Sequence, residues 1–217
     1  MSAAKIVIIT GASRGLGLCL AQAFLRSTGW RVIGVGRSPR PTELPEAVEY
    51  HQFDASSALR CQEFWQTITG LPSASVTLIN NAGGYIGESF GELSPDDFEK
   101  QMNMNFFPAV YMTRTLADVV DAARVFTIIS SAAYEPSAKN TAYGASKAAE
   151  KYLFQALQKE TKTSKFKVTN VYPGDIATQG PSTTAIDPSD LALLIRDMTE
   201  YTGSYYVRDI TLSVNNQ

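Results

Sequence analysis

Ile6-Val7-Ile8-Ile9-Thr10-Gly11-Ala12-Ser13-Arg14-Gly15-Leu16-Gly17 is the stretch whose reading decides the fold. Four apolar residues in succession, without alternation, read as a strand buried on both faces. Glycines at 11, 15 and 17 then permit a tight turn and the close approach of another backbone. A helix-periodic run follows from about Gly15 to Ser27. Strand, glycine turn and helix in direct succession open a β-α-β unit. The helix N-terminus there offers free N–H groups and the positive end of its dipole to an anion. The loop therefore reads as a pyrophosphate cradle, against the plainer reading of a strand–helix turn that binds nothing.

Working outward, short apolar runs alternate with longer helix-periodic segments. Strands are predicted at Ile6–Thr10, Arg31–Val35, Glu49–Phe53, Val76–Ile79, Val125–Ser130 and Lys167–Tyr172, with a last one within Tyr205–Val214. Helices are predicted at about Gly15–Ser27, Ser56–Thr69, Pro95–Asp121, Thr141–Thr161 and Pro188–Tyr201. Ser94-Pro95-Asp96-Asp97 and Asp187-Pro188-Ser189-Asp190 each place a capping residue before a helix-first proline. Repeated β-α units imply an α/β fold: a doubly wound parallel sheet of about seven strands with helices on both faces. No internal repeat or low-complexity tract interrupts it, so one domain is expected over residues 1–217.

Composition narrows the function classes. The 217 residues are 44% hydrophobic and 18% charged with a net charge of −2, which gives no general reason to expect nucleic-acid or membrane binding. Cys19 and Cys61 form no disulfide framework and no metal-ligand pattern, so a reducing compartment and no metal are expected. The opening Met-Ser-Ala-Ala-Lys lacks the regions of a secretion leader, and no apolar run approaches the roughly 20 residues of a membrane span. The sequence reads as soluble and cytoplasmic.

The end of the second strand, Val35-Gly36-Arg37-Ser38, carries no acid. An acid there would accept from a ribose 2′-hydroxyl, whereas an arginine accommodates a 2′-phosphate. Arg37 can pair with such a phosphate, and Arg14 in the glycine loop is placed to add a second cation. The pair favours NADP(H) over NAD(H), although each arginine alone could be an ordinary solvated side chain.

Tyr143-Gly144-Ala145-Ser146-Lys147 sets a tyrosine and a lysine four residues apart on one helical face. A phenol near pKa 10 is a poor acid or base at neutral pH, and a nearby ammonium is one of the few groups able to change that. Alone, the pair could be an ordinary helical one. Its setting is more specific: the strand before it ends in Ser130-Ser131, where doubly wound sheets bind ligands and a hydroxyl can donate to a carbonyl oxygen.

In chain order the sequence thus holds Thr10-Gly-x-x-x-Gly-x-Gly17, Asn80-Asn81-Ala82-Gly83, Ser130-Ser131, Tyr143-x-x-x-Lys147 and Pro173-Gly174. Together these resemble the short-chain dehydrogenase/reductase family over nearly the whole chain, from Thr10 to about Val214. The resemblance implies a catalytic set of Asn105, Ser131, Tyr143 and Lys147. Asn105 would help to hold a water beside the lysine, and Pro108 three residues on is expected to kink its helix there. Ser130 stays open as the alternative to Ser131, because the spacing to Tyr143 is one residue short for Ser131. The resemblance also implies a cofactor-binding set. It comprises Gly11, Ser13, Arg14, Gly15, Leu16 and Gly17 at the pyrophosphate, Arg37 at the ribose phosphate, and Asp54 at the adenine amine. Asn81, Ala82 and Gly83 flank the adenosine, Tyr143 and Lys147 meet the nicotinamide ribose, and Pro173, Gly174, Ile176 and Thr178 seat the carboxamide.

These assignments imply an NADPH-dependent reductase of a ketone or aldehyde, or the reverse alcohol oxidation. The substrate would be read by Gln179 to Ile186 and by loops near Tyr85 and Tyr134. Two rivals stand beside it. An NADP(H)-binding regulatory or sensor protein would need only the nucleotide loop. A dehydratase or epimerase would use the cofactor without net turnover. A homodimer or homotetramer joined through the third and fourth helices is expected. His51, Cys19, Cys61 and the Tyr201, Tyr205, Tyr206 group read as packing or surface residues.

Overall fold

The computed structural model describes residues 4–71, 75–160, 166–178, 180 and 182–214. Seven strands form one all-parallel sheet in the order β3-β2-β1-β4-β5-β6-β7. They are β1 Lys5–Thr10, β2 Trp30–Gly36, β3 Glu49–Gln52, β4 Ser75–Asn80, β5 Ala123–Ile128, β6 Phe166–Pro173 and β7 Asp209–Leu212. The helices are α1 Gly15–Arg26, α2 Ala58–Thr67, α3 Pro95–Leu116, α4 Thr141–Glu160 and α5 Pro188–Glu200. This is the doubly wound sheet that the apolar runs predict.

The unbroken apolar runs have a simple cause. Successive residues of β1 alternate between two cores: Ile6 and Ile8 face α2, α3 and α4, while Val7 and Ile9 face α1 and α5. A strand buried on both sides needs apolar residues at every position. Trp65 of α2 ties that helix to α3 by donating its indole N–H to the Met112 carbonyl at 3.2 Å. The proline-led helix starts form as expected. Asp97 Oδ2 accepts from both the backbone N–H and the hydroxyl of Ser94 at α3, and Asp187 accepts from the Ser189 N–H at α5.

Helix α2 is two residues shorter at each end than expected, and two further boundaries differ because of distant contacts. The third helix stops at Leu116 rather than Asp121, and the chain turns so that Ala123 pairs with Val76. Arg124 is drawn into β5 because its guanidinium donates to the Met198 and Tyr201 carbonyls at the end of α5. That contact spans more than seventy residues, so no local pattern announces it. The ladder of β5 ends at Ile128, which leaves Ser130 and Ser131 beyond the strand.

The chain order reverses direction across the sheet between β1 and β4. Every strand points the same way, so the loops after β1, β4, β5 and β6 gather at one edge, where such sheets bind ligands.

Candidate active site

The glycine loop is built against the loop after β4. Gly11 has a φ of 67° and Gly15 a φ of 53°, in the left-handed region that side chains resist. A methyl group on Gly17 would sit 2.1 Å from the Gly11 carbonyl oxygen, and one on Gly11 would sit 2.9 Å from the Ala82 Cα. Glycine is therefore required by close backbone approach, as the sequence reading holds. The two loops are fastened by Thr10, whose hydroxyl oxygen accepts from both the Asn81 and Ala82 N–H groups at 2.9 Å. Asn81 returns its own amide to the Thr10 carbonyl at 2.9 Å. Nothing in the local sequence marks Thr10 for this role. Its buried hydroxyl is legible only once β1 and β4 are known to be neighbours.

Helix α1 begins at Gly15, so its unpaired N–H groups open onto this loop. Leu16 and Gly17 are buried, and Leu16 can face a ligand only through its backbone. Ser13 sits half-buried in the turn and Arg14 is exposed at the helix cap. Arg37 is exposed just past β2, and its carbonyl accepts from the Gln52 side chain at the end of β3. The Ala12 N–H bonds the Val35 carbonyl, so Arg14 and Arg37 stand on adjoining segments. Asp54 is exposed beyond β3 and already accepts from the Ser56 N–H. Thr178 lies where a methyl on Gly15 would touch its side chain at 3.4 Å, which brings the segment after β6 over the glycine loop. Pro173 closes β6, and Gly174 bonds the Leu212 carbonyl. Ile176 pairs with Ile186, pinning both ends of the intervening segment; Gln179 lies outside the described residues.

Tyr143 and Lys147 stand on successive turns of α4, on its inward side. The Lys147 ammonium is 4% exposed as a residue and donates to the Ile128 carbonyl at 3.0 Å. It also lies 2.7 Å from Glu150 Oε2. Burial pushes the Glu150 carboxyl up to about 7, against the opposing pull of the Lys147 charge. Ser131 begins a short 3-10 turn that packs on the start of α4, where the Ala132 carbonyl limits the space beside Gly144. Ser130 Oγ accepts from the Ala132 N–H at 3.1 Å and so caps that turn. Among the described residues the Ser131 hydroxyl has no such engagement.

Asn105 is fully buried, and both ends of its amide are used. Its oxygen accepts from the Gly84 N–H and its nitrogen donates to Ser146 Oγ, each at 2.8 Å. Ser146 in turn donates to the Tyr143 carbonyl at 2.7 Å. Helix α3 is continuous through Pro108, so Asn105 acts here as a brace between the loop after β4 and the Tyr143 helix. A methyl on Gly83 would lie 3.1 Å from Asn105 Oδ1 and 3.8 Å from Lys147 Nζ, which places these groups together. One turn earlier, Gln101 is equally buried: it donates to the Gly84 carbonyl and accepts from the Ile86 N–H. The loop it holds sets the Tyr85 ring edge-on to Tyr143, with centroids 5.1 Å apart. Neither Gln101 nor Glu150 stands out in the sequence, where each is one polar residue among many on a helix.

The residues set aside earlier have ordinary partners. His51 pairs with Glu49 and packs edge-on to Phe64, and Cys61 is buried with its thiol pushed up to about 12. Tyr201, Tyr205 and Tyr206 help to line a cavity of about 230 Å³ at the opposite end of the sheet, with Arg124 and Lys167. No described helix is long and apolar enough to cross a membrane. Among the described residues no group of three His, Cys, Asp or Glu side chains could hold a metal ion.

A family model described as short chain dehydrogenase matches residues 5–187. An NADP-dependent 3-hydroxy acid dehydrogenase from Salmonella typhi is 31% identical over 178 residues, covering 78% of this chain and 71% of that protein. A 3-ketodihydrosphingosine reductase from Mus musculus is 28% identical over 189 residues, 80% of this chain and 57% of its own length. A crystal structure of a short-chain dehydrogenase/reductase from Vibrio parahaemolyticus superposes with a TM-score of 0.84 at 28% identity, covering 97% of both chains.

Proposed function

Since the chain belongs to the short chain dehydrogenase family, we propose that it is a single nucleotide-binding domain that reduces a ketone or aldehyde with NADPH, with Tyr143 as the proton donor. At the coarser level it is an oxidoreductase of that family, and NADP(H) is its cofactor. The observation that carries the finer reading is the buried Lys147 ammonium, anchored at the end of β5 one helical turn from Tyr143.

The residues present fit the cofactor. The cradle of Gly11, Gly15 and Gly17 is one that side chains would fill, and it lies at the start of α1 where anions are favoured. Arg14 and Arg37 would hold the 2′-phosphate, and no acid stands beside them at the end of β2 to repel it. Asp54 would accept from the adenine amine, and Thr178 with Gly174 would close over the nicotinamide end. When bound, the nicotinamide supplies the hydride, which no side chain can.

The chain's own groups do the rest. Ser131, with its hydroxyl uncommitted, would donate to the carbonyl oxygen, while Ser130 keeps the turn in shape. Tyr143 would give the proton to the developing alkoxide. Lys147 has three N–H groups, one of which goes to Ile128 and one to Glu150; the third can serve the ribose, and the charge favours the ionised phenol. Asn105 keeps the Gly84 loop and the Tyr143 helix in register.

The test is Tyr143→Phe, which removes one hydroxyl and keeps the ring. Turnover of the best carbonyl found by NADPH oxidation is expected to fall by about 10²–10⁴, with NADPH affinity nearly unchanged. Tight NADPH binding without turnover on any ketone, aldehyde or diketone would favour a regulator instead. We further propose a homo-oligomer joined through α3 and α4. The support is the half-buried aromatic run of Phe106, Phe107 and Tyr111 on α3 together with Tyr152 of α4, which is 80% exposed. Light scattering at micromolar concentration should show at least a dimer; a monomer would refute it.

A further inference from the structure

Lys147 is accompanied by a second buried charge that the reaction as described does not use. Glu150 lies one turn below it on α4, and the side chains of the pair are 5% and 2% exposed. An ammonium so far from water needs a counter-charge, and one backbone carbonyl does not provide it.

The surroundings of Glu150 are unusual in one respect. Among the described residues, the buried side-chain atoms without a hydrogen-bond partner include Asn80 Oδ1, Thr127 Oγ1 and Asn170 Oδ1, while Glu150 Oε2 meets only the Lys147 ammonium, at 2.7 Å. The first three are not scattered. Asn80 of β4 pairs in register with Thr127 of β5, and Thr127 pairs with Asn170 of β6, so they form one row across three adjacent strands. They occupy the sheet face that carries Leu78, Val125 and Val168, which is the face under α3 and α4. Helix α4 runs down this face from Lys147, held at Ile128, to Gln158, which donates to the Val168 carbonyl. Glu150 lies on α4 between these two anchors, on the helix that covers this face.

The row is short of donors: Asn80 Oδ1 and Asn170 Oδ1 only accept, and the Thr127 hydroxyl can donate to one of them at most. Water protons, or a proton carried by Glu150, would supply the rest. A buried water with two to four polar partners is the ordinary solution to such a site.

We propose that Glu150 is a positioning residue: it fixes the Lys147 ammonium as its counter-ion and shares a proton with a buried water site floored by Asn80, Thr127 and Asn170. The proposal rests on the reading above for what Lys147 does, and on geometry alone for the pair and the row. The raised carboxyl fits it, because a group that takes up a proton near neutrality can follow the charge of its neighbour. Ionisable groups on the elements packed against α4 are Asp96, Asp97, Glu99, Lys100, Tyr111 and Arg114 of α3, Lys167 and Tyr172 of β6, and Tyr134 after the 3-10 turn, with Asp209 on the neighbouring β7. Of these and Lys147, only Lys147 acts on Glu150. Asp209 is taken up by the Tyr172 hydroxyl and the Asn170 amide.

The experiment is infrared titration of the protonated carboxyl band in the cofactor-free protein, with Glu150→Gln identifying the band. Its midpoint is expected near neutrality, and Lys147→Met should raise it by at least one pH unit through loss of the cation. Thr127→Val should raise it too, because the carboxylate loses part of its water site. In parallel, the pH profile of kcat for Glu150→Gln should lose a step near neutrality, with a lowered thermal midpoint because Lys147 loses its counter-charge. A midpoint in the usual carboxylate range, or one that ignores Lys147→Met, overturns the pairing whatever the turnover. An unchanged Thr127→Val midpoint overturns the water site. An unchanged kcat profile in Glu150→Gln overturns the positioning role. If no variant and no wild-type sample turns over a carbonyl, the oxidoreductase reading fails, and the infrared arm alone still decides the pair.

Discussion

Removing the Asn105 amide tests whether α3 braces the site through the loop after β4. In Asn105→Ala the Gly84 N–H is left without its acceptor, and Ser146 loses a donor while keeping its own bond to Tyr143. A buried donor left unmade costs about 1–3 kcal/mol, and the lost Ser146 bond about 1 kcal/mol more. A total of about 2–4 kcal/mol is expected. Gln101→Ala removes two bonds to the same loop, at Gly84 and Ile86, and a similar loss follows. The two changes should not add. Once either brace is gone the loop is partly free, and the second brace has less to hold, so the double variant should fall short of the sum by at least about 0.5 kcal/mol. Urea unfolding of the four proteins measures this directly. Turnover should drop in both single variants, because the loop carries Tyr85 against Tyr143. Strict additivity, or a loss below about 0.5 kcal/mol in Asn105→Ala, would refute the brace.

Two further expectations follow from charge. Arg37→Asp places a carboxylate beside the 2′-phosphate position and should shift the kcat/KM preference from NADPH toward NADH; equal use of both cofactors by the unmodified protein would refute the assignment. The Glu150 carboxyl holds its proton to about pH 7 when folded and releases it near 4.5 when unfolded, so the native state binds more protons between those values. Its contribution is present below pH 4.5 and is lost as pH rises through 7, by at most about 3 kcal/mol. Glu150→Gln should flatten that part of the stability–pH curve, and urea unfolding at pH 5 to 8 that gives parallel curves would count against it.

The fold was legible where both sheet faces are buried, since Ile6 to Ile9 and Val76 to Ile79 leave no polar position for another arrangement. The glycine loop was equally legible, because backbone approach admits no substitute at Gly17. Boundaries set by distant contacts were not: Arg124 joins β5 through carbonyls at the end of α5, and α3 ends where the register of β5 requires. The site divides in the same way. Tyr143 and Lys147 declare themselves by helical spacing. Thr10, Gln101 and Glu150 act across the junction of elements far apart in sequence, and a threonine, a glutamine or a glutamate on its own element carries no local sign of that.

The placing of β1 between β2 and β4 has a consequence for how the molecule comes into being. The first strand can find β2 within about thirty residues of synthesis, but its other neighbour pairs Ile9 with Ile79. The Thr10 hydroxyl has nothing to accept until Asn81 and Ala82 exist. A chain emerging from the ribosome therefore carries the complete glycine motif long before that motif can take its shape. Long-range parallel pairing of this kind is slow, and it leaves the edge of β1 open to other chains meanwhile. Nucleotide added during refolding should speed recovery only after the fourth strand has docked.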